Sequence, residues 1–128
     1  MPLVQARLRA EPTPGLSEAV VAALTRLTSE VLGKEHERTS VVVDYVSEAR
    51  WARGGKMPVR GFLVEVKITL GTNSREEKAS YVREVNRALQ GLLDGAAGYV
   101  VVDEIAADAW GYAGETQEAR YSKARTVA

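Results

Sequence analysis

Pro2 is the residue of this chain with the most unusual chemistry open to it. The sequence begins Met1-Pro2-Leu3-Val4-Gln5-Ala6-Arg7-Leu8. Initiator methionine is commonly trimmed before a residue as small as proline, and trimming leaves a ring nitrogen that is a free secondary amine. Such an amine is a base and a nucleophile, which an amide is not. An ordinary α-amino group titrates near ~7.7–8.0, and burial among apolar side chains or beside another cation lowers that value. A proline amine at the mouth of an apolar pocket can therefore be neutral at physiological pH and take a proton from carbon. The same dipeptide also reads as the plain start of an edge strand, where a missing N–H does no harm. The rest of the chain decides between the two.

Competing chemistries are few. The absence of cysteine removes disulfides, thiolate catalysis and cysteine metal sites together. His36 is the single histidine, so no two-histidine metal site can form, and it reads as a polar loop residue. There is no Gly-rich phosphate loop, nucleophile elbow or metal motif, and no cofactor is expected. With 17 basic and 17 acidic residues the formal net charge is zero. No basic surplus points to nucleic acid and no polybasic block to a membrane surface. Without a signal-peptide pattern or a membrane-length apolar run, the expected location is cytoplasmic. A length of 128 residues with 45% apolar and 27% charged side chains suits a single globular domain.

The elements that would position Pro2 follow from patterning. Residues 3–9 read as a strand. Residues 10–15, rich in proline and glycine, read as a loop. A helix is expected from Ser17, as N-cap, to Leu32, with Gly33 after its end and Val20, Leu24, Leu27 and Val31 along one face. A β-branched strand follows over 39–46, then a turn or short hairpin over 50–55.

The same order then recurs. Residues 62–68 lie over residues 2–8 at an offset of 60, matching in character everywhere except Phe62 over Pro2. Ser74 and Glu77 spell a capping box, opening a helix expected to run to about Asp94, with Gly95 beyond it. Val100-Val101-Val102-Asp103 lies over Val41-Val42-Val43-Asp44 at an offset of 59, and at that offset Trp110 falls on Trp51 and Gly114 on Gly55. The chain reads as one domain, 1–128, made of repeat 1 (1–58) and repeat 2 (59–128). Two tandem β-α-β units give an α+β (α/β) fold, a four-stranded sheet with two helices on one face. Apolar residues on both sides of the strands at 41–46 and 100–105 call for burial on both faces. With no third layer in the chain, another copy is the expected cover.

An amino-terminal proline on the first strand, a duplicated β-α-β unit and the ending Ala109-Trp110-Gly111-Tyr112-Ala113-Gly114 together resemble the tautomerase superfamily. The resemblance spans essentially the whole chain and is to the fused, double-length relatives of 4-oxalocrotonate tautomerase. It implies a homotrimer with a barrel-like core of sheets, and a cofactor-independent isomerase whose Pro2 amine moves a proton on a small unsaturated oxo or enol acid. Phe62 has only an interior amide nitrogen, so one working site per chain is expected. The superfamily also implies alternatives through the same proline, namely hydration, dehalogenation or decarboxylation. If Met1 is retained, a non-catalytic small-molecule binder of this fold is implied instead.

The resemblance suggests substrate-binding candidates as well. Lys34, directly after Gly33, is similar to the pocket lysine of the macrophage migration inhibitory factor branch. Arg75 lies close to where the decarboxylase and dehalogenase branches place paired arginines. Arg9 and Arg38 fall near the expected mouth of the pocket. Trp110 occupies the hairpin position of an aromatic at the apolar end of the site, with Trp51 assigned to packing between subunits. Asp103, Glu104 and Asp108 are the acids the hydrating branches would use to activate water. The chain departs from the short tautomerases where they carry substrate-holding arginines: residues 10–15 contain none, and the second strand opens on Thr39-Ser40. A mono-acid such as an arylpyruvate, or something less anionic, is expected in place of a dicarboxylate.

Overall fold

Strand β1 (Leu3–Arg9) buries Val4, Ala6 and Leu8 on one side and turns Leu3, Gln5 and Arg7 to the other. This period of two gives a strand one continuous apolar strip. In the computed structural model, which describes residues 1–47, 50–57 and 60–127 and side chains as far as Lys123, β1 lies inside a four-stranded sheet. It pairs in parallel with β2 (Ser40–Tyr45) and antiparallel with β3 (Gly61–Thr69), and β3 pairs in parallel with β4 (Tyr99–Ile105). Helices α1 (Pro14–Leu32) and α2 (Arg75–Leu92) are the crossovers of the two parallel pairs. They pack together over one sheet face. Val20, Leu24 and Leu27 of α1 and Tyr81, Val85 and Leu89 of α2 close a single core with Val64, Val66 and Ile68 of β3. Within it, the Thr28 and Tyr81 hydroxyls bond each other at 2.9 Å, so neither polar group is buried unsatisfied.

The strand register expresses the duplication. Leu3 pairs with Lys67, Leu8 with Phe62, and Gln5 with Glu65, its own counterpart at the offset of 60. Leu3 lies beside Ser40 in the first half and Leu63 beside Tyr99 in the second, which reproduces the offset of 59 for the outer strands. A pseudo-two-fold axis therefore passes through the middle of the sheet, and the heads of β1 and β3 lie at opposite ends. The boundary expected between the repeats, at residues 58 and 59, lies outside the described residues.

Four local expectations are corrected. Helix α1 begins at Pro14, ahead of the expected Ser17 cap: Thr13 is the N-cap, accepting from Leu16 N–H at 3.2 Å, and proline suits the first helical turn. Ser17 instead bonds the Tyr45 hydroxyl at 2.7 Å, tying α1 to the end of β2. Helix α2 opens on the expected capping box but stops at Leu92, because Asp94 (φ 51) and Gly95 (φ 84) have already left helical geometry. The outer strand β2 spans Ser40–Tyr45, a residue shorter at each end than expected. Beyond β4, a hairpin of β5 (Gly111–Tyr112) and β6 (Glu115–Thr116) leads into a third helix, α3 (Gln117–Val127), which the apolar periodicity does not announce.

The sheet face opposite the helices is uncovered in the single chain. Val42 is 44%, Val101 42% and Tyr99 62% exposed there. Lys67 lies among Gln5 (3.4 Å), Glu65 (3.7 Å) and Asp103 (3.6 Å) on that face. Burial on both sides is thus not achieved within one copy.

Candidate active site

Continuing the β1–β3 register past Leu3 sets Pro2 across from Ile68 and Met1 across from Thr69. Pro2 is buried and Met1 partly so. Ser40 N–H donates to the Pro2 carbonyl at 3.1 Å, fixing the head of β1 against β2. The site is whatever the other elements bring to this end of the sheet.

Thr69 is the point of convergence. It is 6% exposed, and its Oγ1 accepts from Trp110 Nε1 at 3.2 Å and from the Tyr121 hydroxyl at 3.4 Å. Its carbonyl accepts from Thr72 Oγ1 at 2.6 Å, and Lys34 Nζ donates to that same Thr72 oxygen at 2.9 Å. Lys34 is aimed here by the end of α1. Gly33 takes the left-handed turn (φ 69) that glycine adopts without strain, and Asn73 Nδ2 clamps the Leu32 carbonyl at 2.9 Å. Helix α3 is docked by Gln117 N–H on the Trp110 carbonyl and Glu118 N–H on the Ala107 carbonyl, both at 2.9 Å.

The structure thus brings Lys34 and Trp110 to the Pro2 end. Arg38 is there too, in the 3-10 turn before β2, where it pairs with Glu35 at 3.0 Å. Arg75 is the exposed first residue of α2, just past the Thr72 turn. Arg9 lies elsewhere: it is 2% exposed at the far end of β1, opposite Gly61. A rise of ~3.3 Å per residue puts it roughly 20 Å from Pro2 in the same chain. Among the acids, Glu104 is taken by Lys78 at 2.8 Å and Asp103 lies 3.6 Å from Lys67. Asp108 is exposed. Three residues at this end, Thr69, Arg120 and Tyr121, are not signalled by the repeat, because two of them ride on the unannounced α3.

The electrostatics here favour a neutral amine. The terminal amino group, carried by Met1, is held below its ordinary value first by burial and then by the charges of Lys34, Arg38 and Arg120, with Glu35 opposing. Burial likewise lowers the Lys34 ammonium, against the pull of Glu77. Desolvation and like charge both penalise a cation, so they act in the same direction.

The pseudo-symmetric end is built differently. Trp51 lies against Gly61, with a Cβ placed there 3.7 Å from the indole ring, while Trp110 bonds Thr69 at the other end. A recess of about 360 Å³ opens between Trp51, Arg53, Arg60, Gly98 and Tyr99. Phe62, the counterpart of Pro2, is fully buried over the backbone of Gly98. At the offset of 59 Gly98 corresponds to Thr39, a residue with a side chain. One strand head carries Pro2 and the other the ring of Phe62, and the recess lies at the Phe62 end, beside Gly61.

A family model described as tautomerase enzyme matches residues 2–60, essentially the first repeat. Solved structures match along the length. A fused 4-OT, described as a wild-type symmetric trimer, is 21% identical with a TM-score of 0.84, over 92% of this chain and 98% of that one. A protein inactivated by 2-oxo-3-pentynoate is 11% identical with a TM-score of 0.85, over 92% and 98%. A macrophage migration inhibitory factor-like protein from Entamoeba histolytica is 19% identical with a TM-score of 0.76, over 90% and 97%. No curated protein sequence matches the chain. With a match to the tautomerase model over its first repeat and a doubled β-α-β architecture throughout, the chain has the fused, 4-oxalocrotonate tautomerase-like fold.

Proposed function

We propose that the chain is a cofactor-independent isomerase in which Pro2, freed by removal of Met1, is the general base. The observation that carries this reading is the convergence of Lys34, Trp110 and α3 on Thr69 and Thr72, at the end of β3 that the register sets beside the buried Pro2. Removing Met1 does two things at once. It turns the Pro2 amide nitrogen into an amine within reach of the same cations. It also vacates the position across from Thr69, whose counterpart in the second half is Gly61, beside the open recess.

The substrate class is a small unsaturated oxo acid with one carboxylate, since the arginines that hold a second one are absent from residues 10–15 and 39–40. In ketonisation of an enol acid, the neutral Pro2 nitrogen takes the enol O–H proton. The electrons left on oxygen form the carbonyl, and the former C=C pair takes the proton back from the prolinium. No proton is gained or lost overall. The Lys34 ammonium faces the oxygen while its charge develops, which lowers the barrier more than it lowers the ground state. Trp110 excludes water from the amine and so keeps it neutral. Proton transfer is favoured over hydration because Glu104 is engaged by Lys78, and Asp103 lies near Lys67 on the uncovered face. By likeness to the fused trimers the working form is a homotrimer, which would cover that face.

Ketonisation of phenylenolpyruvate tests the reading, with the natively produced chain weighed by intact mass spectrometry. The mass should be short of one methionine, and Pro2→Ala should slow turnover by about 10²–10⁴-fold. A retained Met1, or a Pro2→Ala variant as fast as the native chain, would end the proposal. Turnover of a haloacrylate or malonate semialdehyde in place of the enol would favour the hydrating or decarboxylating chemistry.

A further inference from the structure

Helix α3 carries two side-chain donors that the fold buries and leaves unused. Gln117 is 2% exposed and its Nε2 has no acceptor among the described residues, and Arg120 Nε is buried in the same condition. The two residues are three apart and so neighbours on one face of the helix. This stretch of α3 is tied to the Pro2 end by Gln117 N–H on the Trp110 carbonyl and by the Tyr121 hydroxyl on Thr69.

Buried donors in folded proteins are nearly always paired. Two orphans on one helix face, one of them cationic, therefore describe a place for an anionic acceptor with two oxygens. The guanidinium is already oriented for it. Arg120 Nη2 donates to the Tyr112 carbonyl at 2.8 Å, and the group stacks over the Tyr112 ring at 5.5 Å, leaving the Nε side. Glu115 is near enough to feel the Arg120 charge, but its Oε2 is bound by Lys123 at 2.6 Å and Arg120 Nε makes no hydrogen bond to it. The other cations at this end are engaged or exposed: Lys34 on Thr72, Arg38 on Glu35, Arg75 in solvent. Arg120 also lies close enough to the terminal amine to disfavour its charged form.

We infer that Gln117 and Arg120 of α3 are the carboxylate-binding subsite of the Pro2 site. The inference rests on the reading of Pro2 as the base and adds the missing grip on the acid. In it, the substrate carboxylate lies on α3 while its enol oxygen faces Lys34. The C-terminal helix thereby replaces the arginines absent from residues 10–15 and 39–40.

Kinetics and binding together test it. For phenylenolpyruvate, Arg120→Ala should raise KM by about 10–100-fold, the loss expected for a charge-assisted bond, with kcat changed by less than about threefold. Arg120→Lys should recover part of the loss, and Gln117→Leu should give a smaller rise. The methyl ester should be handled equally by native chain and variants. Calorimetry with 3-phenylpropanoate, an unreactive mono-acid, separates this claim from the base. Pro2→Ala should slow turnover by about 10²–10⁴-fold yet bind the acid normally, whereas Arg120→Ala should bind it about 10–100-fold more weakly. Unchanged acid binding in Arg120→Ala, an equal loss for acid and ester, or no binding by the native chain would overturn the inference. Circular dichroism of each variant confirms that the fold is retained.

Discussion

The ring of Phe62 lies so close over Gly98 that a Cβ added there would come within 2.6 Å of Phe62 Cγ. This contact separates the two halves of a duplicated chain. In the second half an aromatic ring packs at the strand head, and Gly98, just before β4, makes room for it. In the first half Pro2 takes the place of the ring and Thr39 the place of the glycine. The paired change puts a buried ring at one end of the sheet and a proline at the other.

Gly98→Ala should therefore destabilise the protein by about 1–3 kcal/mol, the usual range for overpacking. Thermal or denaturant unfolding measures it. Combined with Phe62→Ala, which removes the ring atoms but leaves the Phe62 carbonyl close by, the same change should cost less than the sum of the two single variants. Strict additivity would mean that the contact does not govern this end of the sheet.

The two tryptophans should behave differently although they occupy equivalent hairpins. Trp110→Phe removes the bond to Thr69 at the Pro2 end and should lower kcat/KM by about tenfold, the scale of one lost hydrogen bond. Trp51 lies against Gly61 at the opposite end, so Trp51→Phe should leave turnover within about twofold. Steady-state kinetics on purified variants distinguishes them.

The pH dependence of turnover should carry the signature of a depressed amine. The base is active when neutral, so kcat/KM should fall as pH drops through its pKa, and the burial and cations that hold the Met1 amine below 8.0 should hold the Pro2 amine low as well. Lys34 and the other nearby cations disfavour its protonation, while Glu35 favours it. Lys34→Ala should therefore move the acid limb to higher pH, and Glu35→Gln should move it lower.

Stability should fall in alkali through Tyr81. Burial raises its pKa from 10.0 to about 12, with the hydrogen bond between its hydroxyl and that of Thr28 opposing. Between these values the unfolded chain has released the phenolic proton and the folded chain still holds it. The contribution is therefore whole below about pH 10 and lost as pH rises to about 12, roughly 2–3 kcal/mol in all. Denaturant unfolding of native chain and Tyr81→Phe across this range should show the slope only in the former.

Much of the fold was legible because the duplication wrote it twice. The offsets of 60 and 59 read from the residues reappear as the β1–β3 and outer-strand registers. The Ser74–Glu77 capping box was equally plain, since both of its bonds are local. The start of α1 was not, because Pro12-Thr13-Pro14-Gly15 looks like a loop while Thr13 and Pro14 are its cap and first turn. Helix α3 was missed for a different reason: it is held by bonds to Trp110, Ala107 and Thr69 and has no apolar stripe. Its one local sign is Thr116, whose hydroxyl accepts from Ala119 N–H at 3.0 Å. Arg120 and Tyr121 were invisible with it. Arg9 could be placed on a strand by pattern, but which end of the sheet that strand end reaches depends on the register with β3.

The central claim is that Pro2 carries a free, weakly basic amine, and nitrogen NMR of the natively produced protein labelled with ¹⁵N-proline tests it most directly. The chain has four prolines. One nitrogen should resonate as an amine and titrate with a midpoint below that of an ordinary terminal amine, while the other three remain amides at every pH. Four amide signals, none of them titrating, would contradict the account.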